Sequence, residues 1–321
     1  MTSRRSTEAA RAAEAAVAGD SAPFEDRPPS LSDREFALFS AWIRRQAGLH
    51  YPETKRVLLA RRMSKRLAAL GLENFTEYYR LLPELGPEET VRLLDCLCTH
   101  ETQFFREPRQ FEVLEREVVP GWRSAALEGR RSRHVRVWSA ASSTGEEPYS
   151  VAMTLLANLP REDGWQVEVF ATDLSSWAVE RTRKAVWDAR RAEHIPEPYL
   201  KRFMLRGKNS EEGKIKAGPE LAAAVRCQRF NLHDSATTGG LVSAAPYAAF
   251  GSFDLILCRN VLIYFDAETR DHVLSRLVAR LRPEGWLFLG HAENLTGSTL
   301  PLRAVAPTIY RPVDVASAEK R

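Results

Sequence analysis

Trp138-Ser139-Ala140-Ala141-Ser142-Ser143-Thr144-Gly145-Glu146-Glu147-Pro148-Tyr149-Ser150 is the stretch on which the fold turns. It leaves the β-rich run His134–Trp138, crosses a loop of small residues, and opens a helix at Glu146-Glu147-Pro148. A strand that passes through small side chains into a helix is how open α/β sheets present their ligand-binding edge, because a ligand can then approach the backbone closely. Outward from it, Val167–Ala171, Val225–Phe230, Phe253–Cys258 and Trp286–Leu289 are further short β-rich runs separated by longer polar or helical stretches. That alternation predicts a doubly wound, mostly parallel α/β sheet. The final run, Thr308–Val313, is expected to return as an antiparallel edge strand.

Upstream the rhythm is helical. Phe36, Phe39 and Ile43 recur at helical spacing before Gly48, and a second helix is expected from Thr54 to Leu70, ended by Gly71. On that helix Leu59, Met63, Leu67 and Leu70 form one stripe, with Lys55, Arg61, Arg62, Lys65 and Arg66 assigned to a basic face on the other side. Asn74 followed by Glu77 predicts the cap of a third helix, and Glu88–His100 reads as a fourth. The expected organisation is a leader over 1–30, disordered by composition, a basic helical domain over 31–103, an α/β domain over 104–313, and a tail over 314–321.

Composition removes several function classes. No apolar run approaches the length of a bilayer span, and the first 30 residues lack the apolar core of a secretory signal, so a cytoplasmic protein without membrane insertion is expected. The net charge of +4 is too small to indicate a nucleic-acid binder. It is unevenly spread: Leu31–Gly71 holds nine Lys and Arg against three Asp and Glu, a local +6 that leaves −2 for the remainder. Cys96, Cys98, Cys227 and Cys258 fit neither a disulfide framework nor a zinc site, so reduced, mostly buried thiols and no metal are expected.

The polar residues at the strand ends suggest a nucleotide-like ligand. Asp173 closes the second strand, where a carboxylate accepts the hydroxyls of a ribose. Glu146 and Glu147 would repel a pyrophosphate from the helix start, which favours a phosphate-free cofactor carrying ammonium and sulfonium charges. Asn231-Leu232 ends the third strand in position to read and pack an adenine, and Arg259-Asn260 follows the fourth at the switch point of the sheet.

Together with Thr102-Gln103-Phe104-Phe105-Arg106, Cys258-Arg259-Asn260-Val261-Leu262-Ile263-Tyr264-Phe265 and Gly290-His291-Ala292-Glu293-Asn294, the opening stretch resembles the chemotaxis receptor methyltransferases, the CheR family, from about Leu31 to Val313. The resemblance implies methyl transfer from S-adenosylmethionine to glutamate side chains of a chemoreceptor. It implies Thr102, Arg106, Glu147, Asp173, Asn231, Leu232, Arg259 and Asn260 as cofactor contacts, with His100 standing where the family usually carries Asn. It further implies a small antiparallel β-subdomain over 202–224, which in some members adds a C-terminal receptor peptide as an extra strand. Here Gly207 and Gly213 bracket a polar tip, and Lys214-Ile215-Lys216 is the expected returning strand.

Glutamate is already ionised at neutral pH, so such a transfer requires positioning rather than a general base. Arg106 is the candidate to hold one carboxylate oxygen while the other reacts, and Tyr264 the candidate to orient the same group. His291 and Glu293 are read as ordering the loop after the fifth strand. The expected partner is the helical cytoplasmic bundle of a chemoreceptor, steered by the basic face, with the enzyme a monomer. A nucleic-acid methyltransferase and a non-catalytic receptor-binding scaffold are the alternatives; Arg259-Asn260 stands where amino-methylating enzymes carry an Asp/Asn-Pro-Pro-Tyr element.

Overall fold

The computed structural model describes residues 30–233, 247–295 and 297–313, so the expected leader and tail lie outside the described residues, apart from Ser30. The described chain forms two compact units that divide after Thr99.

The first unit is helical. In α1 (Asp33–Ala47) the Ser32 hydroxyl accepts from the Glu35 N–H while the Glu35 carboxylate accepts from the Ser32 N–H, closing the helix start from both sides. Gly48 then ends α1 in the left-handed region at φ 70°. A 3-10 turn, Glu53–Lys55, leads into α2 (Arg56–Leu70), which Gly71 ends in the same way. Asn74 caps α3 (Phe75–Leu97), where the expected third and fourth helices run as one element broken at Gly86, φ 75° and ψ −169°. Phe39, Ile43, Leu59, Met63, Leu67, Phe75, Tyr78 and Leu93 are buried in this unit.

The basic face of α2 is smaller than the sequence suggested. Lys55, Arg61 and Lys65 are exposed, alongside the apolar Val57 and Leu58. Arg66 is buried, donating from Nε and Nη2 to Glu89 at 2.9 and 2.7 Å. Arg62 is half-buried and turns back onto the Leu97 carbonyl and Thr99. Arg66 therefore belongs to the packing of α2 on α3, because a guanidinium beside the apolar stripe must be paired to be buried at all.

The second unit begins with α4 (Pro108–Val113), which continues through a π-turn into α5 (Val119–Leu127). Then follow β1 (His134–Ser139), α6 (Glu146–Asn158), β2 (Gln166–Asp173), α7 (Ser176–Lys184), β3 (Val186–Asp188), α8 (Glu197–Phe203), β4 (Met204–Arg206), β5 (Lys214–Ala217) and α9 (Pro219–Ala224). The chain ends with β6 (Val225–Arg229), β7 (Phe253–Cys258), α10 (Ala267–Val278), β8 (Leu281–Leu289), β9 (Leu302–Ala306) and β10 (Ile309–Pro312). Seven strands form one sheet in the order β6-β2-β1-β7-β8-β10-β9, parallel from β6 to β8.

Both faces of this sheet are covered, which is why its strands read as apolar runs rather than alternating ones. Val135, Val137, Leu255, Leu257 and Phe288 pack in one core; Trp138, Phe253, Ile256, Leu287 and Leu289 pack in the other. Trp138 is fully buried, with five aromatic neighbours and its indole N–H on Thr172 Oγ1 at 2.9 Å.

Two topological expectations need correction. The closing strand β10 is antiparallel but internal, and the edge is held by β9, whose mostly exposed residues carry no periodic signal. The small antiparallel sheet has the order β3-β5-β4, so it recruits Val186–Asp188 from well before residue 202. Its turn is tight at Gly207, where a Cβ would stand 1.9 Å from the Glu211 carbonyl oxygen.

Candidate functional site

The parallel strands deliver the chemistry-bearing residues to one edge. Ser139, Asp173, Asn231 and Arg259-Asn260 lie at or just beyond the C-terminal ends of β1, β2, β6 and β7. Asp173 is tied into this edge: Ser143 N–H donates to Oδ2 at 2.8 Å and Ser175 N–H to Oδ1 at 2.9 Å. The Ser142 and Ser143 hydroxyls in the same loop are buried with no hydrogen-bond partner among the described residues. Gly145, at φ 100°, has a different use from the one expected. A Cβ there would meet Thr182 of α7 at 3.1 to 3.2 Å, so its small size lets the loop pack on that helix.

Arg259 is the hub. It is 4% exposed and pairs with Glu147 at 3.0 Å and Glu107 at 3.2 Å. Its Nη2 also donates to the Arg106 carbonyl. Glu147 additionally accepts from the Ser139 hydroxyl at 2.7 Å; burial pushes its carboxyl upward while Arg259 and Ser139 pull against that shift. Glu146 is fully buried, with Arg191 at 3.0 Å and the Thr144 hydroxyl at 2.6 Å. The acidic pair is therefore not a pair of open charges: each carboxylate has its own guanidinium, and its repulsion of a phosphate is weaker than the bare sequence implies.

The segment preceding α4 is anchored rather than free. Phe104 packs edge-on to Trp187, and Phe105 stacks on Tyr199 and meets Phe111, with the Phe105 N–H donating to Ser150 Oγ at 3.0 Å. Both rings are buried in the core. Arg106 is half-buried and donates to the Glu101 carbonyl at 2.9 Å. Thr102 offers its carbonyl to Arg191 at 2.7 Å, beside an open cleft of about 360 Å³ that runs to Asp188 and His194. The His100 ring lies 5.0 Å from that of Trp177, which is itself half-exposed. Asn231 and Leu232 are buried, and Tyr264 is half-buried in the turn Leu262–Tyr264.

The structure thus joins Arg106, Glu147, Arg259 and Asn260 in one contact network. It links Asp173 to the loop after β1, and keeps the α2 cations in the other unit. Two residues the sequence reading did not single out hold this edge: Glu107 joins the Arg259 network, and Arg191 pairs with Glu146. The signal for Glu107 was its place directly after Arg106; Arg191 carried none, because its pairing with Glu146 depends on where β3 leads the chain. Among the described residues, no group of three or more His, Cys, Asp or Glu is placed to hold a metal ion. No described helix is long and apolar enough to cross a membrane.

Comparison with known proteins gives this edge its family. Residues 100–310 match the CheR methyltransferase, SAM binding domain, and residues 34–98 match the CheR methyltransferase, all-alpha domain. The chain belongs to the CheR methyltransferase family. It is 38% identical to chemotaxis protein methyltransferase 2 of Pseudomonas aeruginosa over 84% of this chain and 89% of that one. It is 37% identical to the chemotaxis protein methyltransferase of Escherichia coli over 88% of this chain and 91% of that one. Among solved structures, magnesium protoporphyrin IX methyltransferase from Synechocystis PCC 6803 aligns over 59% of this chain and 61% of that one, 13% identical at a TM-score of 0.26, a likeness too slight to locate a site.

This family member is an S-adenosylmethionine-dependent methyltransferase. The residues present suit that cofactor. The Asp173 carboxylate at the end of β2, two buried hydroxyls without hydrogen-bond partners among the described residues, and a carboxylate-rich edge offer acceptors to hydroxyl and ammonium groups.

Proposed function

We propose that the chain esterifies glutamate side chains on the helical cytoplasmic bundle of a chemoreceptor, giving glutamyl methyl ester and S-adenosylhomocysteine. The observation that carries this reading is the held position of Arg106: Arg259 grips its carbonyl on the cofactor edge, while its guanidinium donates from Nη1 to the Glu101 carbonyl. Its other donors have no partner among the described residues and suit a carboxylate.

When bound, S-adenosylmethionine would supply an electrophilic methyl group for a carboxylate oxygen, with S-adenosylhomocysteine as the leaving product. The residues then have positional tasks. Asp173 accepts the ribose hydroxyls, and Asn231 and Leu232 bracket the adenine. Glu147, with Thr102, His100 and Asn260, lines the remainder of the cofactor, and Arg259 fixes Glu147 and the Arg106 backbone together. Arg106 holds one oxygen of the substrate carboxylate, and Tyr264 orients it for in-line attack. No base is needed, since the nucleophile is already ionised at pH 7.

The exposed cations Lys55, Arg61 and Lys65, with the half-exposed Arg62, would steer an acidic receptor bundle, and Val57 and Leu58 between them add apolar contact. The small sheet leaves β4 as an edge with Leu205 exposed, which suits capture of a receptor C-terminal peptide by strand addition. The enzyme acts as a cytoplasmic monomer in this reading. Transfer of a labelled methyl group to a receptor cytoplasmic fragment tests it: release of the label by mild base is expected, whereas base-stable label would indicate nitrogen methylation. Arg61→Glu with Lys65→Glu should slow the reaction several-fold at low salt and leave thermal stability unchanged; an unchanged rate would remove the face from docking.

A further inference from the structure

We propose that Glu293 is a positioning residue for methyl transfer: its carboxylate fixes the backbone at Asn260 and thereby the cofactor contact that Asn260 makes. The proposal rests on the reading of Asn260 as such a contact. Glu293 lies beyond β8, is 5% exposed, and ion-pairs with no cation among the described residues. Its oxygens are used on backbone instead. Oε2 accepts from Asn260 N–H at 2.8 Å and from Gly290 N–H at 2.8 Å, and Oε1 accepts from Leu262 N–H at 2.7 Å. One side chain therefore joins the loop after β7 to the loop after β8.

The loop it holds is one that needs holding. Asn260 sits in the left-handed region at φ 58°, a conformation that persists in a non-glycine residue when its surroundings over-determine it. The backbone is fixed by Glu293, and the side chain is reached by Glu107 Oε1, 3.5 Å from Asn260 Nδ2. Gly290 is part of the same device. A Cβ at that position would stand 2.7 Å from both Asn260 Nδ2 and Glu293 Oε2, so only glycine lets the two loops close on the carboxylate. Burial pushes the Glu293 carboxyl upward and the backbone donors pull it back, as expected of a buried carboxylate kept for its hydrogen bonds. A residue kept for packing alone would not need a charge here, and one kept only for its own loop would not reach Asn260 and Leu262.

The test is the affinity of the full chain for S-adenosylhomocysteine by calorimetry, with unfolding temperature measured alongside. Glu293→Gln retains shape but turns an amide NH2 toward a backbone N–H in either orientation, and should weaken binding at least tenfold at temperatures where the variant is folded. In an Asn260→Ala background the same substitution should cost twofold or less, since the group it acts through is gone. Should Glu293→Gln fail to fold, Gly290→Ala pushes on the same junction from the other side and should show the same loss and the same coupling. Wild-type affinity in a folded variant at either position would overturn the role, as would a full tenfold loss added on top of Asn260→Ala. Wild-type affinity in Asn260→Ala itself would remove Asn260 as a contact and take the positioning role with it, a result distinct from the others.

Discussion

Removing the Arg66 guanidinium should unfold the helical unit before it touches receptor docking. Glu89 is 3% exposed, and its carboxylate receives two bonds from Arg66 and a third from the Tyr78 hydroxyl at 2.6 Å. Breaking a buried pair by deleting one partner costs about 3–5 kcal/mol. A stranded carboxylate has an escape, which is to take a proton, and for an ordinary glutamate that costs about 3.7 kcal/mol at pH 7 and about 1.6 kcal/mol at pH 5.5. Arg66→Met, which fills the volume and removes the charge, should therefore lose about 3–4 kcal/mol at pH 7 and less than half of that at pH 5.5. The sign follows from proton counting: the folded variant would bind a proton that its unfolded chain does not, so its stability relative to wild type rises as pH falls. Urea unfolding followed by helical circular dichroism at the two pH values reads this difference, taking the transition of the helical unit by itself because the chain has two compact units. A deficit below about 1 kcal/mol at pH 7, or one that is equal at both pH values, would refute the reasoning.

Asp173→Ala should weaken S-adenosylhomocysteine binding by more than 1.4 kcal/mol, about tenfold, because the variant loses both a charged acceptor and the anchor of Ser143 and Ser175; unchanged calorimetric affinity in a folded variant would take Asp173 out of the site. Cys258 is buried and its thiol is pushed well above the usual range, foremost by burial, so in the native protein it should be the last of the four cysteines to react with iodoacetamide at pH 8. Alkylation of Cys258 at the rate of the half-buried Cys96, Cys98 and Cys227 would show that β7 opens far more readily than its packing implies.

Local chemistry was legible in the sequence, and pairing at a distance was not. Gly48, Gly71 and Asn74 mark helix ends because a cap is satisfied within four residues of chain. Arg66 shows a signal that was present and misassigned. At 100° per residue it lies about 20° from Leu59 on the helix wheel, within reach of the apolar stripe, so it had to be paired. Which residue paired it could not be read, since Glu89 is 23 positions away. The three-residue strands β3 and β4 are too short for any periodicity, and β3 pairs with β5 some 30 residues on. The cysteines were expected to be mostly buried, yet three of the four are half-exposed.

The acidic pair shows how a distant partner changes a site argument without reversing it. Glu146 and Glu147 suggested an edge hostile to phosphate, and the fold answers each with a guanidinium, Arg191 and Arg259, from 45 and 112 residues later. The same fold also adds Glu107 to Arg259. Three carboxylates against two guanidiniums leave a formal −1, and Asp173 makes it −2. Arg106 returns one positive charge, but on the side proposed for the substrate carboxylate. Over these six residues the proposed cofactor side of the edge keeps a net negative charge, which suits a cofactor bearing ammonium and sulfonium groups and disfavours a dinucleotide. The preference comes from the balance of the whole network rather than from the two adjacent glutamates that first suggested it.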